Sequence, residues 1–156
     1  AILLAGCGAT SVKTGLGHNI SIEKSADASS EAEGLAQVDT IMAAVTVDSS
    51  NKILGVVIDT AQTKVNFDTT GKITSDLAAE QKTKVELGFD YGMKKAGSAR
   101  EWFEQIAELE KWMVGKTVDK ITAIKDASED ADLKSKVSVS ISGYQAAVAE
   151  AVANAR

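Results

Sequence analysis

Cys7 is the residue whose type and setting most directly imply chemistry, and it is the only cysteine in the chain. It closes the run Leu3-Leu4-Ala5-Gly6-Cys7, in which large apolar residues give way to small ones. Bacterial lipoprotein signal peptides have this pattern, because the signal peptidase needs small side chains just before its cut. The new amino-terminal thiol then carries the lipid, so Cys7 is the predicted lipidation site.

This pattern predicts a lipoprotein that is extracytoplasmic and anchored to the bacterial cytoplasmic membrane. Residues 1–6 are then the remnant of a signal peptide, and residues 7–33 form a flexible, lipid-anchored linker. The apolar run is far too short to span a bilayer, which takes about 20 apolar residues. One acyl chain binds a membrane marginally whereas two hold it, so a diacyl group would anchor the protein stably. The alternative interpretation is an apolar strand over residues 1–5 with a buried thiol at Cys7.

The predicted linker contains one other suggestive pattern, Gly15-Leu16-Gly17-His18. Its two glycines have the spacing of a dinucleotide-binding fingerprint, but the third glycine of that motif is missing and no clear strand precedes it. We therefore interpret this stretch as linker and His18, the only histidine, as a solvated residue.

Composition excludes several classes of function. The net charge of −5 and the isoelectric point of about 4.9 argue against nucleic acid as a partner. A single cysteine and a single histidine leave no internal disulfide and no His-rich metal site. Asp126 to Asp132 hints at a calcium loop, but Ala131 and Val137 replace its glycine and its bidentate glutamate. We expect a solvated loop there and no metal site.

Residues 34–156 are predicted to form a single domain with an α+β fold. Two related turns, Val47 to Ile53 and Phe67 to Ile73, each open with Asp and reach Asn or Gly where a left-handed residue is needed. The Val-, Ile- and Thr-rich flanks predict the strands of a small antiparallel meander over residues 42–47, 53–60 and 63–67.

Helices are predicted after the meander. Ser98 and Glu101 predict the start of a helix over residues 99–114 that ends at Gly115. Its apolar residues at helical spacing predict a core stripe, formed by Trp102, Ile106, Leu109 and Met113 and widened by Phe103 and Trp112. Further predicted elements are short helices over 75–82 and 117–125, a strand over 137–141 and a last helix over 142–155. Helices packed on one side of a small antiparallel sheet give the predicted fold class.

The order of these segments resembles the FMN-binding domain family, which includes subunits of sodium-pumping quinone reductases and of Rnf-type electron-transport complexes. The hairpin over 45–58 is similar to the family's opening hairpin. Glu86-Leu87-Gly88 with Gly92 is similar to its loop near the flavin, and Trp112 to Lys116 to its tryptophan segment. Val139 to Ser142 stands where the family has Ser-Gly-Ala-Thr at the start of the last helix. The resemblance covers roughly residues 34–156.

The resemblance implies FMN as cofactor and one-electron transfer to a redox partner protein at the cell surface. In the family, a separate transferase attaches FMN to the Thr of the last motif through a phosphodiester bond, and Ser142 occupies the matching position. Tyr91, between Gly88 and Gly92, is the residue predicted to stack on the flavin ring. Ser142 could instead be a simple helix N-cap. The alternative function is a flavin-free module that binds a ligand or a protein; either way, an electron carrier or binding module is favoured over an enzyme.

Overall fold

The computed structural model describes residues 11–156 and shows an α+β fold. Three antiparallel strands form one sheet in the order β1 (Lys13–Ser21), β2 (Gly34–Val47) and β3 (Ile53–Phe67). The α+β class and the small antiparallel meander are confirmed. Cys7, and with it the predicted signal-peptide remnant, lies outside the described residues.

The boundary at residue 34 is corrected by β1, which lies within the predicted linker. All of Lys13–Ser21 pairs antiparallel with Asp39 to Val47 of the central strand. The strand gives a weak sequence signal because Gly15 and Gly17, not large apolar residues, occupy its buried positions. The domain therefore begins about 20 residues earlier than predicted, and the two glycines form part of a strand.

Those glycines let the last helix, α4 (Ser142–Ala153), lie directly on the sheet. A Cβ atom on Gly15 would be 1.8 Å from the carbonyl oxygen of Ala151, and one on Gly17 would be 2.1 Å from that of Ala147. Only glycine leaves room for this contact, because backbone atoms of a helix cannot move aside singly. The close approach of α4 to β1 explains both glycines.

The turn between β2 and β3 forms as predicted. The Asp48 carboxylate accepts hydrogen bonds from the backbone N–H groups of Ser50 (2.9 Å) and Lys52 (3.0 Å). Asn51 adopts the left-handed conformation, with φ of 59°. Asp68 and Gly71, with φ of 82°, repeat this arrangement after β3. The repeated sequence thus encodes two turns of the same kind, although β3 is one continuous strand where two were predicted.

Asn51→Ala is expected to lower the free energy of unfolding by roughly 0.5–1 kcal/mol, because alanine tolerates a positive φ less well than asparagine. Asn51→Gly is the matched control and should leave stability unchanged or slightly higher. Chemical denaturation of the three proteins measures the difference. Equal stability of the alanine and glycine variants would contradict the role assigned to the left-handed turn.

Four helices follow the sheet: α1 (Lys84–Leu87), α2 (Trp102–Met113), α3 (Val118–Ile121) and α4. Helix α2 starts three residues later than predicted, because Glu101 and Glu104, not Ser98, form its capping box. Gly115 follows its end with φ of 83°, as expected. Residues 75–82 are not helical, and residues 137–141 form an irregular segment in place of the predicted strand.

The core lies between the helices and one face of the sheet. The predicted stripe of α2 is confirmed: Trp102, Ile106, Leu109 and Met113 are at most 2% exposed. Trp112 is also buried, and Phe103 packs against the core while staying partly exposed. Three polar side chains are buried with them because each bonds to the backbone; these are Glu101, Gln105 and Gln145.

Helix α4 also covers the outer edge of β1. The backbone of Thr14 exchanges hydrogen bonds with Arg156, the Asn154 side chain donates to the carbonyl of Leu16, and the Glu150 carboxylate accepts from the N–H of His18. Unpaired strand edges promote association with other chains, and these contacts protect the edge of β1 from Thr14 to His18. His18 is solvent-exposed as predicted, but it belongs to this edge, with Nδ1 3.0 Å from Glu150.

Within residues 11–156, no helix has the length and apolarity needed to cross a bilayer.

Candidate functional site

The segment that carries Tyr91 is positioned by two turns that require glycine. Helix α1 begins at a capping box in which Thr83 and Glu86 bond to each other's backbone. Gly88, with φ of 52°, ends that helix and opens a single 3₁₀ turn, Gly88–Tyr91, which Gly92 ends with φ of 81°. Both glycines adopt conformations that other residues disfavour. Their role in the structure is to turn Tyr91 toward the sheet.

Tyr91 lies between β3 and the positive charge of Lys84. Its hydroxyl donates a hydrogen bond of 3.3 Å to the side-chain oxygen of Gln62. The Lys84 ammonium is 4.8 Å from the centre of the Tyr91 ring and 5.3 Å from that of Trp102. A cation over an aromatic face is attracted by the ring's electrons. Lys84 thus holds a positive charge directly beside the tyrosine.

Tyr91 borders an open cleft of about 380 Å³ between β3 and the chain from Glu80 to Tyr91. This volume falls in the range of small-ligand sites, roughly 300–1,000 Å³. Most of the wall is polar or charged, and Leu87 adds apolar surface beside Tyr91. We call this space the Tyr91 cleft; it is lined by Gln62, Lys64, Glu80, Gln81, Lys82, Lys84, Leu87, Asp90 and Tyr91.

A polar network fixes the strand wall of the cleft. Asp39 on β2 accepts hydrogen bonds from Lys24 (2.6 Å), Gln37 (2.6 Å) and Gln62 (3.4 Å). Burial acts to raise the pKa of Asp39, but these hydrogen bonds outweigh it and hold the pKa below its usual value. The carboxylate therefore stays ionised at neutral pH and orients Gln62, which in turn bonds to Tyr91.

Tyr144 of α4 is buried in the core beside Trp102. Its hydroxyl accepts a 2.8 Å hydrogen bond from the Trp102 indole N–H. Burial raises the pKa of Tyr144, with smaller contributions from Tyr91 and Asp39. Among the described residues, the nearby Thr60 hydroxyl is the buried side-chain polar atom without a hydrogen-bond partner. Trp102 therefore has a structural role, as predicted, and forms no wall of the cleft.

Ser142 does not line the Tyr91 cleft. It is the first residue of α4, its side chain is exposed, and its hydroxyl lies 3.4 Å from that of Ser140. The N-cap position belongs to Ile141, which provides no capping side chain, so the simple N-cap interpretation of Ser142 is wrong. The structure thus brings Gly88, Tyr91 and Gly92 together and leaves Ser142 outside their cleft.

Sequence reasoning missed the cleft residues Gln62, Lys64 and Lys84, although it placed Lys64 in a strand. Lys84 was overlooked because a single lysine in a short helix gives no sequence signal. Gln62 was overlooked because its strand was predicted to break at residues 61 and 62. The alternation of Val65 and Phe67 with Lys64 was visible in the sequence and could have extended the strand back to Gln62. A correctly extended strand would have placed Thr60, Gln62 and Lys64 on one face.

A second open groove, of about 660 Å³, lies between β1 and the end of α4. It contains none of the predicted site residues; its lining is Thr14, Gly15, Leu16, Ala44, Asn154 and Arg156.

In the part of the chain that the structure describes, no group of three acidic, His or Cys side chains could hold a metal ion. Asp126 and Asp130, from the acidic loop, accept hydrogen bonds from nearby backbone N–H groups.

Comparisons with protein-family models, with curated proteins and with solved structures return no match to this chain. The FMN-binding-domain resemblance therefore rests on the sequence segments alone.

Proposed function

We propose that this protein is an extracytoplasmic lipoprotein, anchored through lipid on Cys7, that binds FMN non-covalently and carries electrons at the cell surface. The observation that supports flavin binding is the Tyr91 cleft: an aromatic ring, a ligand-sized space and three lysines lie together. FMN combines a flat aromatic ring system with a phosphate, so it needs a surface for stacking and a positive charge.

Within the cleft, Tyr91 would contact the flavin ring, and Lys64 and Lys84 would attract the phosphate. These two lysines form no ion pair with a carboxylate in the described residues, whereas Lys82 lies 3.6 Å from Glu80. The chain as a whole carries a charge of −5, so a lysine-rich cleft contrasts with its surroundings. Gly88 and Gly92 would contribute by orienting Tyr91.

The start of β1 at Lys13 limits the length of the tether between the domain and a lipid on Cys7. Lys13 follows Cys7 by six residues, which reach at most about 20 Å when fully extended. A lipid on Cys7 would therefore hold the domain close to the membrane surface, in contrast to the long flexible tether expected from the sequence.

Radiolabelled palmitate fed to a bacterium that expresses the protein with its full leader tests the anchor. Label should appear on the native protein and be lost in Cys7→Ser.

Flavin binding is tested by visible absorption of the protein purified from its native kind of host, before and after denaturation and filtration. Flavin that leaves with the filtrate supports the proposed non-covalent complex. Flavin that stays with the chain, and disappears in Ser142→Ala, would replace it with covalent attachment at the exposed Ser142. A colourless protein that also fails to quench the fluorescence of added FMN would refute the flavin proposal.

Tyr91→Ala is expected to weaken FMN binding at least tenfold while leaving the melting temperature nearly unchanged, because the side chain is only partly buried. The matched control is Phe89→Ala, in the same turn, where the ring is 68% exposed and lies outside the cleft. Fluorescence titration and thermal denaturation of both variants give the two readouts. Parallel losses of binding in both variants would contradict a specific role for Tyr91.

The second candidate function is a flavin-free module that binds another protein. One observation favours it: the strand that forms the wall of the Tyr91 cleft has backbone groups without partners in the described structure, at Gln62 and Lys64. The position of Ser142 outside the cleft is also compatible with a protein that does not carry covalent flavin.

A further inference from the structure

We infer that the edge of β3 in the Tyr91 cleft binds an extended, acidic peptide segment of a partner protein as an added strand. This inference rests on the second candidate function, protein binding. Strand addition uses backbone hydrogen bonds for affinity and alternate side-chain contacts for specificity.

The register of the sheet shows which backbone groups point outward. The N–H of Ile58 donates to the carboxylate of Glu110 on α2 at 2.7 Å, so it points away from β2. Strand geometry repeats every second residue, so the N–H and C=O groups of Gln62 and Lys64 point the same way. No backbone or side-chain partner meets these groups in the described residues.

The open edge is limited at both ends by the chain itself. At one end, the Asp59 carboxylate accepts from the N–H of Val85 at 3.2 Å and ties α1 to the strand. At the other end, Asn66 donates to the hydroxyl of Ser75 at 2.7 Å and accepts from the N–H of Thr74 at 2.9 Å. Six residue steps separate Thr60 from Asn66, about 20 Å at the strand rise of roughly 3.3 Å per residue. An edge of this length matches a core of about five peptide residues.

Other outward backbone groups along the sheet edges have partners within the chain. On β3, the outward N–H of Ile58 donates to Glu110. That of Thr60 donates to Asp59, and that of Asn66 donates to Ser75. On β1, Glu150 of α4 and the residues that follow the helix bond to the backbone of Thr14, Leu16 and His18. Proteins blunt strand edges because open ones pair indiscriminately. The opening at Gln62 and Lys64 differs in lying inside a walled cleft, which favours a single added strand.

Charge and apolar contacts specify the peptide. Lys64 and Lys84 form no ion pair in the described part of the chain and would attract acidic side chains, although Glu80 and Asp90 also line the wall. Tyr91 and Leu87 offer the cleft's apolar surface. Lys64 shares a strand face with Gln62, which bonds to Tyr91, and Lys84 lies beside the Tyr91 ring. Since alternate side chains of a strand face the same way, the peptide should turn its acidic side chains toward this side of the cleft.

The test measures binding of a fluorescent peptide of about nine residues that alternates glutamate with valine. Fluorescence anisotropy compares the native protein with Lys64→Ala and Lys64→Pro. Alanine removes the charge, whereas proline also removes the outward N–H without affecting a ladder bond to β2. Binding should weaken several-fold in Lys64→Ala and at least a further tenfold in Lys64→Pro. Equal binding by the two variants, or equally tight binding of a peptide with lysine in place of glutamate, would overturn the inference.

Hydrogen exchange on the native protein gives a test that does not depend on folding of the proline variant. The amides of Gln62 and Lys64 should exchange fast in the free protein and slow at least tenfold with saturating peptide. Unchanged exchange at both amides would overturn strand addition. FMN binding without peptide binding would refute this inference and leave the flavin proposal standing. Peptide binding without FMN binding would support the inference and remove flavin.

Discussion

Gly17→Val is expected to lower the free energy of unfolding by more than about 3 kcal/mol, a large share of the roughly 5–15 kcal/mol that holds a domain together. The reason is steric. A Cβ at this position would be 2.1 Å from the carbonyl oxygen of Ala147 and 2.3 Å from the backbone nitrogen of Ala151. Since both atoms belong to the backbone of α4, the whole helix would have to lift from the sheet. Buried contacts of Val148 and Ala151 would be lost with it.

The matched control for this substitution is Gly55→Val. Gly55 also lies in a strand, but a Cβ there meets no atom within 4 Å. Valine favours strands over glycine, so the control should be neutral or stabilising. Urea denaturation followed by circular dichroism compares both variants with the native chain. Similar losses in Gly17→Val and Gly55→Val would mean that α4 does not lie on β1 as described.

Trp102→Ala is expected to cost about 3–5 kcal/mol, the usual loss when a fully buried aromatic is truncated to alanine. Trp102 is 1% exposed and starts α2. Its indole N–H donates to Tyr144, and the two rings meet edge to face with centres 6.1 Å apart. The substitution would leave a cavity between α2 and α4 and remove the donor to a buried hydroxyl.

Two companion variants separate packing from hydrogen bonding at Trp102. Trp102→Phe keeps most of the volume and removes the indole donor, so a smaller loss of about 1–2 kcal/mol is expected. Phe89→Ala removes an aromatic that is 68% exposed and should change stability little. Guanidinium denaturation monitored by far-ultraviolet circular dichroism is suitable because it does not rely on the replaced tryptophan. A loss in Trp102→Ala no larger than in Phe89→Ala would show that Trp102 is not a core residue.

The features that could be predicted from the sequence are those specified locally. The spacing of Trp102, Ile106, Leu109 and Met113 is enough to predict α2 and its buried face, because helix periodicity depends only on neighbouring residues. Asp48 and Asn51 likewise specify their turn, since the carboxylate bonds to the backbone within four residues. Helix boundaries are less well determined. Ser98 is of a preferred N-cap type, yet α2 starts after Glu101, whose carboxylate also accepts hydrogen bonds from the backbone N–H groups of Met93 and Lys94.

The candidate site shows the limit of local reasoning. Tyr91, Gly88 and Gly92 are close in sequence, so their association was predictable. Ser142 was joined to them only by a resemblance, and the fold places it at the exposed start of α4. Gln62 and Lys64 belong to β3, and only the fold brings this strand beside Tyr91, more than 25 residues further along the chain.

The α+β class, the α2 core stripe and the two Asp-initiated turns are therefore encoded in the sequence, because short-range periodicity and turn chemistry specify them. The tertiary structure alone decided that Gly15 and Gly17 form a strand, since their absent side chains have meaning only beneath α4. It also decided that β3 keeps an open edge beside Tyr91. Which backbone groups stay unpaired depends on every segment that packs against the strand, and no local pattern contains that information.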